Sequence, residues 1–403
     1  MYTADIVPWT TNETVHLPIN QWQFPDKDIY FFCDLHADAG AFLRSLQASF
    51  LVTADSDLNQ VQLTTQGQHA QIVIGGDCFD KGPSNLDLFD LIGLLREQQA
   101  DLVLLAGNHD IRVYAGLLAL DFKNNPHQSH FFTRMGRKTA ALFAEIHQTY
   151  CLHLPEPQLS ESQIIQQLFP NKEWFERFPE IAGAFMSEDK IKKEVKQIQF
   201  KQQDFLEACQ KHGLNLPQVY QAVQKARELF IEDGGIYNWF FKELKLLHRS
   251  GSYLFCHAGL DDAIAHQLSQ QPLERINRTF QKKLQQGELF EIYYSEFGNV
   301  FRTKYRDSDK PLTSQGTQIL KKIGIYALVN GHRSHKNGQQ LFIRNGILNF
   351  ECDTQLNENC RKKNKISTLG YSSTIFYANG LVSAMSSDIP KAKMFHPKHL
   401  KKA

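Results

Sequence analysis

The sequence contains no CxxC pair, and its seven cysteines are an odd number. A fully paired disulfide framework and a thiolate zinc knuckle are therefore excluded, and the thiols read as reduced and buried. No stretch approaches the roughly 18 consecutive apolar residues of a membrane span, so none is expected. The opening residues, MYTADIVPWTTNETVHLPIN, lack a basic stretch followed by an apolar one. No Sec-type leader is expected, which points to the cytoplasm or to delivery into a host cell without such a leader. Two sequons, at Asn12 and Asn277, then read as chance matches. Charge of one sign is also missing: Lys+Arg is 44 against Asp+Glu 43. Without a global basic field, no nucleic-acid partner is expected. Disorder is unsupported, because the chain carries 29 Phe and is 42% hydrophobic.

What is present is a series of five short apolar runs, each ending in a polar cluster. Residues 29–33 lead to Asp34-Leu35-His36, 71–74 to Gly75-Gly76-Asp77, and 102–105 to Gly107-Asn108-His109-Asp110. Residues 253–256 lead to His257-Ala258-Gly259, and 325–329 to Asn330-Gly331-His332. Continuous apolarity predicts strands buried on both faces. In α/β folds the site lies at the carboxyl ends of such strands. Apolar residues at helical spacing over 41–48 and 85–98 make the first 112 residues read β-α-β-α-β.

Between Asp110 and His257 the texture changes to Gln, Lys, Glu and Phe. Amphipathic helices are expected over 187–211 (capped by Ser187), over 217–231 and, after Gly234-Gly235, over 237–247. The chain is divided accordingly into a core of 1–114 and 236–390, a helical insertion or cap of 115–235, and a basic tail of 391–403 expected to fray. The insertion reads equally as a large connecting bundle. Hairpins signalled by Asn345-Gly346 and Asn379-Gly380 are expected to form a second sheet packed on the first.

Read in order, the polar ends are Asp34-x-His36, Gly76-Asp77-x-x-Asp80, Gly107-Asn108-His109-Asp110, His257 and Gly331-His332-x-x-His335. Any one piece is weak; five in this order, each closing an apolar run, is a specific signal. Carboxylate, imidazole and amide oxygen suit Mn, Fe or Zn. Two divalent cations about 3.5–4 Å apart neutralise a phosphate and supply a nucleophile at neutral pH. A carboxylate between them can give one oxygen to each.

The set resembles the calcineurin-like metallophosphoesterases, whose pattern is DxH, GDxxD, GNH[DE], a lone His and a final GH element. That resemblance implies an α/β fold, a four-layer α/β/β/α sandwich of two packed mixed sheets, here with a large helical insertion. It implies two divalent metals, Mn²⁺ first, with Fe or Zn as alternatives. Asp77 would bridge them. Asp34 and His36 would complete the first site, with His335 or a water as a further ligand. His335 stays open because the family ending GHxH has gained a residue here, GHRSH. Asn108, His257 and His332 would complete the second site. His109, held by Asp80, would protonate the leaving oxygen while a metal-bridging hydroxide attacks in line, with no phosphoenzyme. The other reading of His109 is a structural histidine beside a ligand.

Within the superfamily, GDCFDKGPSNLDLFDLIGLLR with LLAGNHD, and YNWFFKELKLLHRSGSYLFCHAGL, are similar to the phosphoprotein phosphatase (PPP) branch, over roughly 26–112 and 236–353. Lys81 stands where that branch has Arg, Ala258 where it has Gly, and Ala37 where Gly follows DxH. At Lys81 a point charge replaces a bidentate phosphate contact. These departures suit divergent bacterial members, and the whole is similar to the Wip group of phosphatase effectors in Legionella. Phosphate contacts are expected from Lys81 and Arg302, with Arg112 and Arg306 behind them, while Arg333 is expected to face solvent. The implied activity is a phosphoprotein phosphatase acting on phosphoserine/threonine and/or phosphotyrosine, with the insertion available to a protein partner. A nucleotide phosphoesterase such as a diadenosine tetraphosphatase would use the same metals. A scaffold with a vestigial metal site would have lost ligands, and the matched positions are intact.

Overall fold

The computed structural model describes residues 6–10, 15, 17–53, 57–123, 125–183 and 187–400. The sequon at Asn12 and the last three residues of the expected tail lie outside the described residues. Strands form where the apolar runs stand. They are β1 Ile6–Pro8, β2 Ile29–Phe32, β3 Gln71–Ile74, β4 Asp101–Leu104, β5 His248–Ser250, β6 Tyr253–Phe255, β7 Ala327–Asn330, β8 Gln340–Arg344, β9 Ile347–Glu351, β10 Ser372–Phe376, β11 Val382–Ser386 and β12 Ile389–Phe395. One sheet has the order β1-β12-β11-β10-β2-β3-β4, the other β5-β6-β7-β9-β8. Both are mixed, so the fold is the α/β arrangement of two packed sheets.

Register explains where the polar clusters go. Phe32, Ile74 and Leu104 are neighbours on the parallel strands β2, β3 and β4. Phe255, Val329 and Phe350 are neighbours on the parallel strands β6, β7 and β9. The residues that follow therefore leave each sheet at one level. Burial on both faces accounts for the lack of alternation. The Phe31 ring meets Phe255 of the other sheet at 5.7 Å, and Phe376 packs against Tyr253 at 4.9 Å and Phe350 at 5.5 Å. On the opposite face, Phe32 lies 5.5 Å from Phe42 of the helix Ala39–Ala48. Asp38 caps that helix, its Oδ1 accepting from Ala41 N at 2.7 Å.

Three expectations are corrected. The two hairpins do not share a sheet: β8–β9 extends β7, whereas β10–β11 joins β2 through antiparallel pairing of Thr374 with Phe31. A turn signal sets register within a hairpin but not which strand receives its edge. The basic tail does not begin at 391, because residues 391–395 belong to β12, whose Phe395 packs 5.4 Å from Phe350. The helix expected over 237–247 is only Asn238–Glu243. The Leu246 and Leu247 amides donate instead to Asn277 Oδ1 at 3.0 and 3.1 Å.

The chain divides into two compact units. The first is Met1–Asn108, Glu243–Gln281 and Ser295–Ala403; the second is His109–Lys242 and Lys282–Tyr294. The second is helical, and Phe132, Phe169 and Phe205 form an edge-to-face cluster in its core. It includes the helices Glu188–Lys211 and Leu216–Phe230, the latter started by a reciprocal Asn215–Gln218 cap. Ser187 stands at the head of the former without a side-chain cap bond. This unit also takes in 282–294, because Arg134 Nη1 donates to Tyr294 Oη at 2.7 Å and Tyr114 Oη donates to Leu284 O at 2.9 Å. No described helix is long and apolar enough to cross a membrane.

Candidate metal centre

After β2 the chain is stitched to the loop that follows β3. Asp34 N donates to Gly76 O at 3.0 Å, His36 N to Asp77 O at 2.8 Å and Ala37 N to Cys78 O at 2.7 Å. This ladder bends non-glycine residues into the left-handed region: φ is +54° at Asp34, +46° at His36, +57° at Asp77 and +69° at Asp80. Each such residue costs on the order of 1 kcal/mol or more. Gly76, at φ +85°, is needed for a further reason. A Cβ there would lie 2.6 Å from Gly107 N and 2.9 Å from His257 Nδ1.

Two histidines are oriented alike. His36 Nδ1 faces Phe79 O at 3.1 Å, and His257 Nδ1 faces Gly75 O at 2.7 Å. A carbonyl only accepts, so each Nδ1 carries the proton and each Nε2 keeps its lone pair. His36 Nε2 is 3.8 Å from both Asp34 Oδ1 and Asp77 Oδ2. His257 Nε2 is 3.4 Å from Asp77 Oδ1 and 3.4 Å from Asn108 Oδ1. Asp77 thus stands between the imidazoles with one oxygen toward each. The His332 ring lies 5.0 Å from that of His257, and donor atoms of Asp77, His257 and His332 fall within 4.8 Å of one another. His332 N donates to Asp34 Oδ2 at 2.7 Å, tying the first cluster to the last.

The electrostatics fit bound cations. Burial, and then the neighbouring Asp77, pushes the Asp34 carboxyl up to about 7. Burial, and then His257, pushes His332 down to about 2. His332 Nε2 is buried with no hydrogen-bond partner among the described residues. Crowded carboxylates and a buried lone pair are both relieved by a divalent ion. One positive charge is already placed there, since Lys81 Nζ is 2.6 Å from His36 Nε2. The donors are nitrogen and oxygen, which suits Mn, Fe or Zn. Cys33, Cys78 and Cys256 are buried. Burial holds the Cys33 thiol well above its usual range, protonated and a poor ligand.

The structure brings Asp34, His36, Asp77, Asn108, His257, His332 and Lys81 together. His335 does not join them, because its Nε2 lies 2.8 Å from Glu351 Oε2. Arg302 follows the helix Glu296–Val300 and bends back over it, its Nε donating to Gly298 O at 3.0 Å. Asp80 is buried in the first unit, its amide held by Asn85 Oδ1 at 3.1 Å. His109 is buried in the opening turn of the helix Asn108–Leu118 and belongs to the second unit. Arg333 does not face solvent: its side chain is 14% exposed and its Nε donates to Glu351 Oε1 at 2.8 Å. Glu351 and Asp353 were missed by sequence reasoning. β9 runs beside β7, pairing Glu351 with Asn330, so Asp353 follows its strand as His332 follows β7. Burial, and then Asp34, pushes Asp353 up to about 8. The signal was the acidic Glu351-Cys352-Asp353 directly after the expected hairpin.

No protein-family model matches the sequence. No curated protein matches it either. Among solved structures, the chain is similar to a cold-active protein tyrosine phosphatase at 13% identity, over 98% of this chain and 91% of that one, with a TM-score of 0.49. A protein serine/threonine phosphatase from Saccharomyces cerevisiae is similar at 11% identity, over 92% of this chain and 79% of that one, with a TM-score of 0.34. The phosphatase domain of the Legionella effector WipB is similar at 13% identity, over 74% of this chain and 91% of that one, with a TM-score of 0.34.

Proposed function

We propose that this protein is a metal-dependent phosphoprotein phosphatase in which Asp34, His36, Asp77, Asn108, His257 and His332 hold two divalent cations, Mn²⁺ first. The observation that supports the reading is Asp77. Its two oxygens point to His257 Nε2 at 3.4 Å and His36 Nε2 at 3.8 Å. Bound there, divalent cations would neutralise phosphate charge and lower the pKa of a water to make a nucleophile. The residues of the chain do the rest. The carbonyls of Phe79 and Gly75 fix the tautomers of His36 and His257, so each Nε2 has a lone pair to offer, the one on His36 once Lys81 Nζ, now 2.6 Å away, is displaced. Lys81 brings a positive charge toward the phosphate oxygens. His109, which follows Asn108 in the chain, gives its proton to the departing oxygen of serine, threonine or tyrosine. Asp80 is the residue that the resemblance assigns to selecting the tautomer that can do so. The helical second unit is the part of the chain assigned to a protein partner.

The test is phosphate release from phosphopeptides and from dinucleoside polyphosphates, with Mn²⁺ and after EDTA. Release from phosphopeptides, lost with EDTA and restored by Mn²⁺, is expected. Hydrolysis of dinucleotides alone overturns the phosphoprotein reading. Failure to take up any divalent metal overturns the metal reading.

A further inference from the structure

We infer that Arg333 is a positioning residue that ties together the two loops carrying His257 and His332, an inference that rests on the reading of those histidines as metal ligands. Glu351 lies on β9 beside β7 and is nearly fully buried. Burial raises its carboxyl, but bonds from His335 and Arg333 outweigh that and hold it below the usual carboxylate range. An ionised buried carboxylate fixes whatever donates to it. Arg333 Nε donates to its Oε1 at 2.8 Å, and Arg344 Nη2 at 3.1 Å. Arg333 Nη1 reaches the other way, to Ala258 O at 2.7 Å and Thr303 O at 3.1 Å. Ala258 directly follows His257, and Arg333 directly follows His332.

The surrounding bonds show how fully this loop is held. The Ala258 and Gly259 amides donate to Val300 O at 2.9 and 3.2 Å. Leu260 N donates to Tyr305 Oη at 3.0 Å. Tyr305 in turn takes two guanidinium groups against its ring, Arg344 at 3.6 Å and Arg333 at 4.9 Å from the centroid. A Cβ at Gly259 would run into Tyr305 Oη, so glycine is needed there. The guanidinium reaches its partners from two separate nitrogens, Nε to the carboxylate and Nη1 to the two carbonyls; a lysine ammonium has three donors but all at one point, and lacks the fork. The loop carrying Asp34 and His36 has holds of its own, the carbonyls of Gly76, Asp77 and Cys78, in addition to the single bond from His332 N to Asp34 Oδ2. Removing Arg333 should therefore loosen His257 and His332 while leaving Asp34 and His36 in place.

The test titrates the full-length protein with Mn²⁺ by calorimetry and counts metal per chain at limiting Mn²⁺. In Arg333→Met, one site should keep wild-type affinity. The other should weaken about 10–100-fold, the usual effect of removing a partner that orients ligands. Arg333→Lys restores charge without the fork and should recover only part of that loss. If Arg333→Met does not fold, Arg333→Lys carries the test, with selective weakening of one site still expected. Wild-type affinity at both sites overturns the inference, and so does equal weakening of both, which marks a general loss of structure. A wild-type protein that binds no Mn²⁺ overturns the underlying metal reading before any variant is compared.

Discussion

Gly331 separates Asn330, the last residue of β7, from His332. Adding one methyl there is a sharp perturbation. A Cβ would run into Asp34 Oδ2 and lie 2.8 Å from both Cβ and Sγ of Cys33. Cys33 is buried and its Cβ is fixed by the main chain, so the Asp34 carboxylate must give way. Turning it away breaks the 2.7 Å bond from His332 N to Asp34 Oδ2. A bond to a charged group of this kind is worth about 1.5–3 kcal/mol. It also withdraws an oxygen from the neighbourhood of His36 Nε2, now 3.8 Å away. Gly331→Ala should therefore lower the melting temperature in EDTA by only a few degrees, roughly as that energy predicts. Mn²⁺ affinity at the proposed Asp34–His36 site should fall more than about tenfold, as for a displaced ligand. Gly213→Ala is the control. Gly213 has φ +81° and no described atom within 4 Å of a Cβ, so it carries backbone strain alone and should leave Mn²⁺ binding unchanged. A Gly331→Ala protein that binds Mn²⁺ as tightly as wild type, with an unmoved melt, would refute the confinement of Asp34.

Two further outcomes are expected. His109→Asn should retain bound metal while phosphate release drops on the order of 10²–10⁴-fold, and unchanged turnover would discard His109 as the acid. The second concerns pH. His130 is fully buried against the rings of Phe131, Trp174 and Phe178 at 4.5, 5.1 and 5.1 Å, with neither ring nitrogen hydrogen-bonded among the described residues. Burial, and then the Arg134 charge, holds it well below its ordinary 6.5, so the folded protein keeps it neutral. The unfolded chain takes up a proton as pH drops through 6.5. Stability from this group is thus complete above that pH and is lost below it, by up to about 1.4 kcal/mol per pH unit. Urea melts of His130→Phe between pH 6.5 and about 5 should show a flatter slope than wild type; an identical slope counts against the argument.

Legibility in the sequence followed the range of the forces involved. Strand ends were readable because a strand buried on both faces must be apolar throughout. β3 coincides with the run 71–74, and β2, β4, β6 and β7 end within a residue of theirs. The donors at those ends were readable for the same reason, since each follows its strand at once. Long-range choices were not. Nothing around Asn379-Gly380 says that β10 will pair with β2, more than three hundred residues earlier. Arg333 reads as a surface residue and His335 as a candidate ligand until Glu351 arrives, 18 and 16 residues later in the chain, as the buried partner of both. Phe395 anchors a strand whose lysines suggested a loose end.

The backbone itself argues that these loops are built for a site. Among the described residues, thirteen non-glycine positions have positive φ, and seven of them are Asp34, His36, Ala37, Asp77, Asp80, Lys81 and His332. At on the order of 1 kcal/mol each, the three loops together carry several kcal/mol that relaxed loops would not. That strain persists because the surroundings overdetermine it. The amides of Asp34, His36 and Ala37 are bonded across to the Gly76, Asp77 and Cys78 carbonyls, and His332 N is bonded to Asp34. Four of the strained residues, Asp34, His36, Asp77 and His332, are themselves the proposed donors. Their side chains are therefore aimed by main-chain geometry as well as by rotamer choice, in positions where two carboxylates and two imidazoles crowd one another. A chain selected for stability alone would relieve such crowding by replacing one of the four, so the strain and the crowding are both compatible with the metal site proposed above.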